Sequence, residues 1–100
     1  MSEYKIQYRF AAKPWQYAGP GGWVFVSLPK ELSKEIRAAF KTAEAGWGRL
    51  TTNVKIGNTA WGTAIWFDTK LNTFLLPLKA AIRKKENIVT GKTITVTVFI

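Results

Sequence analysis

Two alternating runs joined by Gly57-Asn58 constrain this chain most. Leu50, Thr52, Val54 and Ile56 take one side of a period-two pattern, with Arg49, Thr51, Asn53 and Lys55 on the other. After the Gly-Asn pair, Trp61, Thr63, Ile65 and Phe67 alternate with Ala60, Gly62, Ala64 and Trp66. Period two with one apolar face is the pattern of a half-buried strand. Gly57-Asn58 supplies the positive φ that a two-residue hairpin turn needs. Small residues between aromatic ones suit a tightly curved sheet, because Gly relieves crowding where strands bend.

The flanking segments add strands of the same kind. Tyr4, Ile6, Tyr8 and Phe10 alternate with polar neighbours, and residues 13–22 (Lys-Pro-Trp-Gln-Tyr-Ala-Gly-Pro-Gly-Gly) read as the longest loop. Residues 23–28 resume as a strand that is apolar on both faces. Pro29 suits a first helical turn, where its missing N–H costs nothing. Leu32, Ile36, Phe40 and Ala43 then mark one face of a helix expected over 30–45, with Gly46 as its stop. Asp68 to Asn72 form a turn and Thr73 to Leu76 a short strand. Pro77 is expected to open a second helix over 78–86, with Leu78, Ala81 and Ile82 inward. Ile94, Val96, Val98 and Ile100 alternate with threonines in a final strand. The sum is six strands and two helices in one domain over 1–100.

Composition narrows the chemistry. The chain has no Cys and no His among its 100 residues, so thiolate nucleophiles, Cys/His zinc sites and imidazole bases are excluded. Asp68 is the only Asp, and its place in a turn explains it better than catalysis does. No sequence neighbour pairs with it as a general acid and base would. Gly19-Pro20-Gly21-Gly22 lacks the Lys-Ser/Thr ending of a phosphate loop. The expectation is a chain without catalytic residues, metal or cofactor. No apolar run approaches the roughly 20 residues of a membrane span, and the alternating opening is unlike a signal peptide, so a cytoplasmic location is expected.

Fifteen Lys and Arg against six Asp and Glu give a formal net charge of +9. Such a chain is drawn to phosphates and acidic surfaces, which makes nucleic acid or an acidic protein the partner classes to consider. The densest positive cluster is Lys79, Arg83, Lys84 and Lys85. Lys79 and Arg83 lie one helical turn apart. If an anion is held, Lys79, Arg83 and Lys84 are the candidates, together with the free N–H groups of Leu78 to Ala80 at the helix start. The ordinary alternative is a solvated helix face.

Five Trp invite a stacking role. Trp23 and Trp61, on apolar strand faces, are expected to pack in the core. Trp66 divides evenly between core and surface. Trp15 and Trp47, in or beside loops, are the better candidates for a contact surface, and Trp61 and Thr63 are expected to wall the second helix.

Several of these segments resemble a known family. The run Ile56 to Ile65 resembles the hairpin of the domain-of-unknown-function family nineteen-oh-five. Leu75 to Lys84 looks like its second helix, Gly91 to Val96 like its last strand, and Phe25 to Pro29 like its strand-into-helix junction. Ala64 stands where the family usually has Ser, and Lys92 where an acidic residue is frequent. In the family this domain occurs alone or joined to a bacteriocin-protection region. The resemblance implies a mostly-β fold, a six-stranded closed or partly open β-barrel with two helices packed over it. It brings no assigned catalytic or binding residues. The functional expectation is therefore a non-catalytic binding or interaction module with preference for an anionic partner. A small-molecule-binding barrel, accessory to an enzyme, is the alternative.

Overall fold

The computed structural model describes residues 6–40 and 48–100. In chain order the elements are β1 (Gln7–Ala12), β2 (Trp15–Gln16), β3 (Val24–Ser27), α1 (Lys30–Phe40), β4 (Arg49–Ile56), β5 (Thr59–Asp68), β6 (Thr73–Pro77), α2 (Ala80–Lys85) and β7 (Ile94–Phe99). The seven strands form one antiparallel sheet in the order β1-β7-β4-β5-β6-β3-β2.

The sheet is an open half-barrel of seven strands, where six strands and a closed or partly open barrel were expected. The difference lies at Lys13-Pro14. β1 pairs with β7 at one end of the sheet order, and after this interruption the chain pairs as β2 with β3 at the other. Pro14 has no N–H to give a ladder, so the bent strand reaches both ends without joining them. The proline is buried, and its carbonyl accepts from Gly91 N at 2.9 Å. Trp15 and Gln16 thus form a strand inside the segment that composition marks as loop.

The core sits on one face. Tyr8, Phe10, Val24, Val26, Leu28, Leu50, Val54, Ile56, Ile65, Phe74, Leu76, Val96 and Val98 come from six strands and their ends, and Ile36 from α1 covers them. The central hairpin matches its pattern: Ile56 pairs with Thr59 across a two-residue turn in which Gly57 has φ 58°. Phe10 and Tyr8 bury from β1, while Ile6 remains 43 % exposed.

α1 keeps Ile36 buried and Leu32 and Phe40 half-buried, as its spacing predicts; Ala43 and the Gly46 stop lie outside the described residues. Ser33 is the surprise on this helix. It is fully buried and accepts a hydrogen bond from Phe74 N at 3.0 Å. Its hydroxyl also meets Thr73 Oγ1 at 2.8 Å, and Thr73 Oγ1 donates to the Leu28 carbonyl. With Thr73 donating onward, Ser33 donates to Thr73, and every polar atom in this buried chain is paired. Arg37 lays its guanidinium 4.0 Å from the centre of the Phe67 ring.

α2 is shorter than expected, and Pro77 does not open it. Pro77 ends β6 opposite Phe25, and the ladder continues as Leu78 N donates to the Val24 carbonyl at 2.9 Å. Strand pairing therefore holds the chain extended through Lys79, whose ψ is 149°, and the helix begins at Ala80. Ala81 is exposed rather than inward. The helix end is tied to the hairpin, because Thr59 Oγ1 donates to Glu86 Oε2 at 2.5 Å.

Candidate functional site

On β3, Val24, Val26 and Leu28 face the core, so period two turns Trp23, Phe25 and Ser27 to the opposite face. Register then assembles neighbours on that face. Trp15 pairs with Phe25, which pairs with Pro77; one step along, Ser27, Leu75, Trp66 and Arg49 align across β3, β6, β5 and β4. Tyr17 comes opposite Trp23, with Tyr17 N donating to the Trp23 carbonyl at 2.8 Å.

Phe25 is the floor of this cluster. It is 8 % exposed although it lies outside the main core. Four rings surround it: Trp15 at 5.3 Å, Trp66 at 5.7 Å edge-on, Trp23 at 6.0 Å and nearly parallel, and Tyr17 at 6.4 Å edge-on. Trp15 is oriented by a 2.8 Å hydrogen bond from its Nε1 to Ser27 Oγ. Gly19 and Gly21 let the outer rings fold back on the loop. A Cβ on Gly19 would collide with the Tyr17 ring, and one on Gly21 would stand 2.9 Å from the Trp23 indole, at φ 98°.

Two clefts open over these rings. The larger, about 620 Å³, is walled by Trp15, Tyr17, Trp23, Phe25 and Trp66, with Asp68 and Lys70 at its rim. The smaller, about 480 Å³, lies between Gly22, Trp23, Trp66, Pro77, Lys79 and Arg83. Trp23 and Trp66 belong to both, so the clefts adjoin across these two indoles. Each volume lies in the range of small-molecule sites, roughly 300–1,000 Å³.

Positive charge outweighs negative at the site, three cations against the Asp68 carboxylate. Arg83 Nε donates to the Leu78 carbonyl at 3.1 Å, which fixes the guanidinium against the smaller cleft. Glu86, one turn on, is engaged with Thr59. Among the described residues neither Lys79 nor Arg83 has a carboxylate partner. Asp68, the acidic residue at the rim, uses Oδ1 to accept from the N–H groups of Lys70 and Leu71, both at 2.9 Å. That is the turn role expected of it.

Of the anion-site candidates, Lys79 and Arg83 are brought together; Lys84 is exposed and lines neither cleft. The N–H groups at the helix start are not all available, since that of Leu78 is spent on Val24. Trp15 lines the larger cleft. Trp47 lies outside the described residues. Trp61 packs partly buried against the core and lines a separate depression with Asn53, Lys55, Gly62 and Phe99; its indole N–H is buried without a partner. Trp61 therefore shares no cleft with the second helix. Trp66, of opposite parity on the same strand, lines the cleft that Lys79 and Arg83 line. Trp23, expected in the core, is 52 % exposed. Tyr17 and Phe25 were missed, because the Trp23/Phe25 alternation against Val24/Val26/Leu28 is apolar on both sides and does not itself say which face is the core.

Among the described residues no group of three or more His, Cys, Asp or Glu could hold a metal ion, and no helix is long and apolar enough to cross a membrane. The model of a family described as "Domain of unknown function (DUF1905)" matches residues 10–98, and the chain belongs to that family. Among curated proteins no sequence matches it.

Proposed function

We infer that this family member is a non-catalytic binding module whose ligand is a planar apolar group carrying negative charge. The supporting observation is the adjoining pair of clefts, in which Trp23 and Trp66 pass from an aromatic chamber to a wall bearing Lys79 and Arg83. Indole faces offer area and polarisable contact to a flat group. A planar guanidinium suits a carboxylate, sulfonate or phosphate, and the neighbouring ammonium adds a mobile charge. A net charge of +9 favours an anionic ligand over a cationic one for the same aromatic walls. Among the described residues that line the clefts no nucleophile is paired with a base, and binding rather than turnover is the reading.

The test is titration of the intrinsic Trp fluorescence with naphthalene sulfonate and with an uncharged naphthalene derivative. The sulfonate should bind about tenfold tighter, the equivalent of ~1.4 kcal/mol. Changing Lys79 and Arg83 together to Gln should erase that difference, and Trp23→Ala should weaken both compounds. Equal affinity of the two compounds for the unaltered protein would refute the reading.

A further inference from the structure

The geometry points to single-stranded nucleic acid as the occupant of this trough, with successive bases seated in the two clefts. This rests on the reading of the aromatic clefts as the binding site. The clefts meet at Trp23 and Trp66, so a planar group in one lies next to a planar group in the other with an indole between them. A single aromatic acid needs one aromatic chamber and one cationic contact. Here cations stand at both ends: Lys70 at the rim of the larger cleft, beside the Asp68 carboxylate that caps its own turn, and Lys79 with Arg83 in the smaller. Arg49, exposed on β4, adds a fourth in register with Trp66. Flat surfaces alternating with positive charge match a chain of bases linked by phosphates.

The exposure of the rings agrees. Trp23 is 52 % and Tyr17 47 % exposed, which leaves ring surface for a base to stack on, whereas an enclosed small-molecule site would cover them. Stacking needs an unpaired base, so a duplex is a poor fit. An acidic peptide would find the charge but has no series of flat groups for the indoles.

Fluorescence anisotropy with a labelled thymidylate octamer tests the inference, with thymidine monophosphate, a duplex of equal length and polyglutamate as competitors. The octamer should bind at least about tenfold tighter than any of them. Its affinity should fall with salt on a log–log slope of about −3, from roughly −0.7 per phosphate neutralised by Lys70, Lys79, Arg83 and Arg49. Lys70→Gln and Lys79→Gln should each flatten the slope by about 0.7. Trp23→Ala should weaken the octamer between about fivefold and about 150-fold at unchanged slope, from ~1–3 kcal/mol per stacked base. Circular dichroism confirms that each variant is folded. If the monophosphate, the duplex or polyglutamate matches the octamer, or if the slope is flat, the inference is overturned. Where naphthalene sulfonate still binds through Trp23 in that case, the broader reading stands without it; where neither probe binds, both fall.

Discussion

Phe25→Ala removes the one ring that every other ring of the cluster touches. The side chain is 8 % exposed and has four aromatic neighbours at centroid distances between 5.3 and 6.4 Å. A buried Phe→Ala change costs about 3–5 kcal/mol in lost transfer energy and residual cavity. The Trp15 indole is held by Ser27 and cannot fully collapse into the space, so the expected loss is about 4 kcal/mol. For a domain of this size, total stability is about 5–15 kcal/mol, and each kcal/mol moves Tm by roughly 4–8 °C. Phe25→Ala should therefore lower Tm by roughly 16–32 °C. Phe25→Leu keeps most of the apolar area and should lose only the ring-specific part, about 0.5–1.5 kcal/mol. Urea unfolding followed by circular dichroism and by Trp emission gives both values, with the m-value unchanged if the loss is one of stability alone. A cost below about 1 kcal/mol for Phe25→Ala would mean that the aromatic face is not packed, and the site would have no floor.

Ser33→Ala should cost about 1–3 kcal/mol in the same assay, because it strands the buried Phe74 N–H that Ser33 Oγ accepts at 3.0 Å; a neutral effect would mean another acceptor takes its place. Gly21→Ala and Gly91→Ala both force Ala to a positive φ, 98° and 84°, at about 1–3 kcal/mol each. Only Gly21→Ala also pushes on the Trp23 ring, so it alone should change Trp emission and ligand affinity. Burial in the core, and secondarily the Glu35 carboxylate, raise the Tyr8 pKa above its ordinary 10.0. A raised folded pKa gives stability that is complete below pH 10.0 and lost as pH rises through the folded value. Tyr8→Phe should flatten that alkaline loss in urea unfolding and remove one late component from the tyrosinate titration; an unchanged alkaline limb would refute it.

Much of the fold is legible because the central hairpin and β7 obey period two with one apolar face. Both helices and the turn role of Asp68 follow from local signals of the same kind. The half-barrel's opening is not legible, because it turns on Pro14, whose consequence depends on β2 finding β3 across the sheet. The start of α2 was misplaced for a related reason. Proline is at home both at a helix start and at a strand end, and a ladder bond from Leu78 to Val24 decides between them. At the site, Lys79 and Arg83 stand out by charge and spacing. The aromatic face does not, because Trp23 beside Val24 can be placed on either side of a strand whose faces are both apolar. Only the partners of β3 show that Val24 and Val26 look toward α1 and the core while Trp23 and Phe25 look toward Trp15 and Trp66.

The indole N–H resonances of the Trp residues test the central claim most directly. Each gives one signal in a nitrogen–proton correlation spectrum, assignable by single Trp→Phe changes. On addition of naphthalene sulfonate, the signals of Trp23 and Trp66 should shift most and that of Trp15 with them, while Trp61, in its separate depression, stays in place. Shifts confined to Trp61, or no shift at Trp23 and Trp66 at saturating ligand, would contradict the assignment of this aromatic face as the binding site.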